Sequence, residues 1–335
     1  MGLVALGALV VRLVLQRFEP LPPNGSKAAG HVLADEAWYV HVANNLVHGR
    51  GFVFYPGVPT ALHGPLAVLL LGPAALLEPH GYTLQRATMG LLGALGVVAI
   101  AYAARELAGP RVGLLAAVLA ALYPGLWVND LVATSESPAV VLLALVVYLA
   151  LRYRRHPSTT GLVLQGLALG VLALDRGELS VLGLLVVVPA VVSVARASPR
   201  AAQAMLRGLA VVAVLAIAVV TPWSAYNESR FHQPVLISND LGQTLVGANC
   251  PESYYGKLTG YDGRTCFYPV LAREVRAQPR ANEAQQDTWF RNEAVRYAIH
   301  HWRRWPVVAV YRELWLWSLW RPGWTVEMAT VYIGR

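Results

Sequence analysis

Residues 63–79 read HGPLAVLLLGPAALLEP, and the reading of this stretch sets the topology of everything after it. It is apolar, but Pro65 and Pro73 each remove a backbone N–H from a helix that would have to continue. We read it as interfacial or re-entrant. The later apolar runs then fall near 87–104, 112–128, 137–151, 161–174, 178–195 and 207–223, after a first run at 2–16 and before an eighth near 306–320. The links test this choice. ARELAGPR (104–111), RYRRHPS (152–158) and RASPR (196–200) are short, Arg-rich and fall at every second link. Cytoplasmic loops do so under the positive-inside rule. Were 63–79 to cross the bilayer, that alternation would fail.

Composition agrees. Of 335 residues, 56% are hydrophobic and 14% charged, against roughly 25% charged in a soluble domain. The opening run MGLVALGALVVRLVL is followed by Arg and Pro rather than a small-residue cleavage site, so it is expected to stay as a first helix. The +8 charge is nearly all Arg, with Lys only at Lys27 and Lys257. No basic helix or aromatic–basic module accompanies it, so the Arg residues set topology and nucleic acid is not an expected partner. Phosphate-loop, His-Glu-x-x-His and Gly-x-Ser-x-Gly signatures are missing, which removes the usual marks of nucleotide-driven transport, zincin proteolysis and serine hydrolysis. The expected fold is an all-α polytopic membrane protein of about seven or eight transmembrane helices. It would comprise a core (1–223), a large extracytoplasmic loop (224–305) and a C-terminal membrane segment (306–335).

The outward links, 17–86, 129–138, 175–178 and 224–305, hold Asp35, Glu36, Asp130, Glu136, Asp175, Arg176 and Glu178. In 35–48, Trp38, Val42 and Leu46 recur as in an amphipathic helix lying on the surface, with Asp35 at its start, where the helix dipole favours a negative charge. The 224–305 segment is polar, with turn residues in SNDLGQ, CPES and GYDGR and then a helical stretch ending in aromatic and Arg residues suited to an interface. It contains the chain's two cysteines, Cys250 and Cys266, and an outer compartment permits a disulfide. Nothing there has zinc-ligand spacing.

Successive helical residues point about 100° apart, so Asp35 and Glu36 do not share one role. One would serve as a positioned base and the other as its partner, or both merely cap the helix. Arg176 sits in ALDRGELS. It either forms a turn cluster with Asp175 and Glu178 or presents its fork of donors to a phosphate. Glu136 suits a helix start capped by Ser135 or Ser137, and His63 an interfacial side chain. Their gathering on one side is a stronger signal than any one residue.

ADEAWYVHVANNLVHGRGF…PTALHGPL resembles the first outer loop of the C-type, family 39-like membrane glycosyltransferases, which include the protein O-mannosyltransferases and the lipid A aminoarabinose transferase. The acidic pair is Asp35-Glu36, the G-x-G-F element Gly49–Phe52, and the Pro-Pro element His63–Leu66, where Gly64 replaces the usual first proline. SESPAVVLLAL, LALDRGELSVLGLLVVVPA and SNDLGQTLVGAN follow in the family's order. Relatives continue with more spans where this chain stops soon after RPGWTVE, so a fragment or a reduced member is expected. The resemblance implies a polyprenyl-phosphate sugar donor and inverting hexosyl or pentosyl transfer on the outer face of a bacterial plasma membrane. The acceptor would be a glycan, lipid or protein. Asp35 would be the general base with Glu36 beside it, and Arg176 would hold the donor phosphate. His63, Glu136 and Asn239 would line the substrate site. A divalent metal is left open and not indicated. The competing classes are a transporter, which would use mid-span groups such as Arg12 and Gln165, and an envelope-assembly protein without catalysis.

Overall fold

The computed structural model describes residues 1–18, 34–261, 263–321 and 323. Fifteen helices follow one another among them: α1 (Gly2–Gln16), α2 (Ala34–Val47), α3 (Pro65–Leu77), α4 (Thr83–Ala108), α5 (Pro110–Leu122), α6 (Pro124–Trp127), α7 (Glu136–Arg155), α8 (Thr159–Asp175), α9 (Val188–Ala195), α10 (Ala201–Phe231), α11 (Leu241–Ala248), α12 (Pro251–Tyr254), α13 (Arg264–Ala277), α14 (Glu283–His300) and α15 (Trp305–Leu316). The chain divides into two compact units, Met1–Pro59 with Gly64–Tyr226, and Thr60–His63 with Asn227–Arg335.

Four helical segments among the described residues are long and apolar enough to cross a membrane: Thr83–Ala108, Glu136–Arg155, Gly177–Ala195 and Ala201–Phe231. A fifth is obtained only if α5 and Pro124–Leu131 count as one span bent by 61°. The expectation of seven or eight is therefore reduced. The bend has a local cause. Pro124 lacks an N–H and pushes Tyr123 into extended backbone, at φ −72 and ψ 114, so a straight helix over 112–128 cannot form. Residues 2–16 and 161–174 do form apolar helices, but shorter ones. The 306–320 stretch supplies only the 12 residues of α15, about 18 Å at 1.5 Å per residue. Most of RPGWTVE lies outside the described residues. α10, by contrast, runs on for 31 residues, well past the expected end at 223.

The first unit is held by close helix contacts at small residues. A Cβ at Gly96 of α4 would lie 3.2 Å from Val140 of α7, and Cβ atoms at Gly166 and Gly170 of α8 would crowd the Val212 and Ala216 carbonyls of α10 at 2.8 Å. Such residues let helix backbones approach where lipid gives no hydrophobic drive to pack. The outward faces keep Leu91, Leu95, Leu115, Leu119, Val214 and Ile217 exposed, as lipid-facing surfaces do.

Two helices differ from expectation. α3 runs unbroken from Pro65 through Pro73. Pro65 is harmless at the helix start, and the bond lost at Pro73 is offset by burial of Val68, Leu71, Ala74 and Ala75. α2 is not a surface helix. Trp38, Tyr39, Val40, Val42, Ala43, Asn44 and Asn45 are all buried, because its polar residues find internal acceptors: Asn44 donates to the Val40 carbonyl and Asn45 to that of Val53, each at 2.8 Å. Gly64 also finds its reason. A Cβ there would meet the carbonyl oxygens of Leu174 and Asp175 at 2.2 and 2.7 Å, so proline does not fit where α3 meets the end of α8.

Candidate active site

The two acids at the start of α2 have opposite fates. Glu36 is fully buried. Its Oε1 accepts from Arg86 Nε at 2.7 Å and from the Ala133 N–H at 2.9 Å, while Oε2 accepts from Arg86 Nη2 at 2.8 Å. This two-pronged pair satisfies both charges without water. A second buried pair lies behind it: Arg12 Nε donates to Asp130 Oδ2 at 2.6 Å, and Ser137 Oγ to Asp130 Oδ1 at 2.6 Å. Gln16 joins the two pairs, donating to the carbonyls of Arg86 (2.7 Å) and Asp130 (2.8 Å). Arg12 is thus neutralised in a structural lattice rather than poised on a transport path. Ser137 serves Asp130 and not the helix end; Ser135 occupies the N-cap position of α7 without a side-chain cap bond. Gln165, the other mid-span candidate, donates to the Val146 carbonyl at 3.2 Å.

Asp35, next in sequence to Glu36, is exposed. Tyr39 lies one turn further along the same side of α2. Its phenol is buried, which pushes its proton affinity up, and it is hydrogen-bonded to Ser135. Ser135 in turn accepts from Arg176 Nη1 at 3.4 Å. Arg176 leaves the end of α8 in extended backbone, at φ −142 and ψ 102. Its Nη1 donates to Glu136 at 2.8 Å and its Nε to Glu178 at 2.7 Å, with the side chain 34% exposed. Burial works against its charge, and the bonds to Glu178 and Glu136 more than restore it. The turn cluster is real but differently composed from expectation: Glu136 replaces Asp175. Asp175 is 3% exposed and neither of its carboxylate oxygens has a hydrogen-bond partner. Tyr39 was not among the residues expected from sequence, and Ser135 was expected only as a helix cap. Their role is set by contacts between α2 and the start of α7, which no local motif encodes.

The remaining candidates belong to the second unit. His63 Nδ1 lies 3.7 Å from Asp240 Oδ2. Burial alone would raise the Asp240 carboxyl, but the bonds from His63 and Ser238 hold it below the usual range. Asn239 is buried; its N–H donates to the Ala61 carbonyl at 2.7 Å and its side chain to Glu283 at 3.3 Å. Glu283 also accepts from Thr60 Oγ1 and the Ala61 N–H, both at 2.7 Å. Burial raises its carboxyl. Asn239 and Glu283 therefore clasp Thr60 and Ala61, and Glu283 had no sequence signal beyond its place near a helix start. Cys250 and Cys266 are disulfide-bonded, with Cα atoms 5.5 Å apart. Their grouping with Glu252 offers no thiolate to a metal.

Residues 63–226 match the family model of dolichyl-phosphate-mannose-protein mannosyltransferases. Among curated proteins none matches the chain. Among solved structures, the chain is similar to ArnT from Cupriavidus metallidurans, bound in that structure to undecaprenyl phosphate: 19% identity, TM-score 0.56, 86% of this chain and 53% of that one. A further match is the Archaeoglobus fulgidus oligosaccharyltransferase in its apo form, at 16% identity and TM-score 0.40 over 67% of this chain and 33% of that one. The chain thus spans about half the length of the ArnT structure. The resemblance to C-type, family 39-like membrane glycosyltransferases holds over the matched segment, and most of the chain has a fold similar to that of the ArnT structure.

Proposed function

We propose that this protein is an integral membrane glycosyltransferase that moves a sugar from a polyprenyl-phosphate donor to an acceptor hydroxyl on the outer face of the membrane, with inversion. The observation that carries this reading is the split between two adjacent acids: Glu36 is locked against Arg86, while Asp35 remains exposed one turn from the Tyr39–Ser135–Arg176 chain. The match over 63–226 and the ArnT-like fold support the reaction class.

In the reaction, the Asp35 carboxylate takes the proton of the acceptor hydroxyl as its oxygen forms a bond to the donor's anomeric carbon. The bond from that carbon to the phosphate oxygen breaks, and its electron pair leaves with the lipid phosphate. Arg176 stabilises that leaving anion, exchanging its bond to Glu136 or Glu178 for one to phosphate. Glu136 thereby acts as the placeholder that keeps the guanidinium extended before the donor arrives. His63 and Asn239 of the second unit are proposed as substrate-binding residues. His63 has the better claim, because Asn239 is buried within the clasp on Thr60 and Ala61.

The test uses purified protein in lipid vesicles, a radiolabelled polyprenyl-phosphate sugar and a panel of acceptors. Asp35→Asn should lower transfer by roughly 100- to 10,000-fold with donor retention unchanged. Transfer at the wild-type rate by this variant would remove the base, and with it the proposed mechanism.

A further inference from the structure

The second unit contains a cavity of about 350 Å³ between α11, α14 and α15, which the transfer chemistry does not use. Its volume is within the range of small-molecule pockets, roughly 300–1,000 Å³. Leu245, Ala298 and Trp305 give it apolar walls, and Asn249, Tyr254 and Arg312 are its polar lining. Two of these three satisfy each other: the Tyr254 hydroxyl donates to Asn249 Oδ1 at 2.8 Å, and Asn249 Nδ2 donates to the Leu245 carbonyl at 2.7 Å. Arg312 is different. Its Nη2 donates to the Ala248 carbonyl, its Nε is buried without a hydrogen-bond partner, and it pairs with no carboxylate among the described residues. A buried guanidinium edge with no acceptor is costly to maintain. Its charge is close enough to counter part of the burial-driven rise in the Tyr254 phenol.

We propose that this cavity binds an anionic amphiphile: a carboxylate or phosphate head on the Arg312 fork, and an apolar body against Leu245, Ala298 and Trp305. The head completes the guanidinium's hydrogen bonds, the fork geometry suits both oxyanions, and the walls ask for hydrocarbon rather than a second polar group. The proposal does not rest on the transferase reading.

The test is quenching of tryptophan fluorescence in the purified full chain by 8-bromooctanoate, whose bromine would lie against Trp305. The chain has ten tryptophans, so the signal is the difference between wild type and Trp305→Phe. Saturable quenching is expected in wild type. Ala298→Phe, which fills the cavity, should abolish it, and Arg312→Gln should raise the half-saturation concentration by roughly tenfold or more. If Arg312→Gln fails to fold for want of its bond to Ala248, 8-bromooctanol on the wild type replaces it; an alcohol that quenches as well as the acid overturns the anion requirement. Inorganic phosphate that displaces the probe at equal concentration overturns the need for an apolar body. Equal curves in wild type and Ala298→Phe would mean partition into detergent and would remove the site.

Discussion

Two regions of the first unit are built from the same residue types and behave oppositely. In the lattice of Glu36, Arg86, Arg12 and Asp130, every charge is buried and met by an opposite charge or a backbone group. In the cluster of Arg176, Glu136 and Glu178, the charges are partly exposed, and the carboxylates outnumber the guanidinium. The first arrangement has no capacity left for a ligand. The second can exchange one partner for another at little cost, because water and the remaining carboxylate cover the change. Glu36 belongs to the first arrangement, while Asp35, adjacent to it in sequence, is exposed.

The largest effect should come from opening the closed lattice. Glu36→Ala takes from the buried Arg86 the carboxylate that accepts two of its bonds, which costs about 3–5 kcal/mol; substitution of the exposed Asp35 by Ala should cost less. Unfolding midpoints in a mild detergent would show the contrast, and comparable losses would erase the distinction between the two acids.

Next in size is the disulfide of the second unit. Its cysteines are 16 residues apart, and closing a loop of that length stabilises by about 3 kcal/mol in the chain-entropy picture. Cys250→Ser with Cys266→Ser should therefore lower the midpoint of the second unit's transition while leaving that of the first in place. Proteolysis resolved by fragment would report each unit separately.

Arg176→Lys sharpens the comparison from the open side. Charge is kept, but the fork that reaches Glu136 and Glu178 together is lost. Donor affinity should fall by about tenfold, or ~1.4 kcal/mol, with little change in melting. A matching loss of stability would assign Arg176 to the fold.

The smallest effect is one of pH. Because the folded Asp240 carboxyl is held below its usual value, its contribution to stability is present above the ordinary Asp range and lost as pH falls through the folded value. Glu283 runs the other way: its raised carboxyl favours the folded state at low pH and loses that advantage as pH rises through the Glu range. Asp240→Asn should flatten the acid limb of the second unit's melting profile, and Glu283→Gln should flatten the decline just above it.

The spans that survive, Thr83–Ala108, Glu136–Arg155, Gly177–Ala195 and Ala201–Phe231, were legible because an uninterrupted apolar run has few alternatives to a helix. Proline was misjudged in both directions. At Pro73 the burial of one helix face outweighs a single missing hydrogen bond, whereas at Pro124 the restriction on Tyr123 breaks the expected span. The surface placement of α2 rested on the spacing of Trp38, Val42 and Leu46, which does not show that Glu36, Asn44 and Asn45 each have an internal partner. The Glu36–Arg86 pair joins residues 50 apart in the chain, so its partner is fixed by tertiary packing and by no local pattern. Arg176 was legible as a candidate from its place between two apolar runs. Tyr39 was not.

Under the proposed mechanism these adjacent acids divide the work, Asp35 for chemistry and Glu36 for the fold. The most direct measurement is a paired one on Asp35→Asn and Glu36→Gln: initial rate of sugar transfer per folded molecule, with the folded fraction taken from the unfolding curve of the same preparation. Asp35→Asn should melt like wild type with its rate per folded molecule nearly abolished, and Glu36→Gln should melt early while its folded fraction turns over within a few-fold of wild type. A Glu36→Gln protein that is fully folded and inactive, beside an active Asp35→Asn protein, would contradict that mechanism.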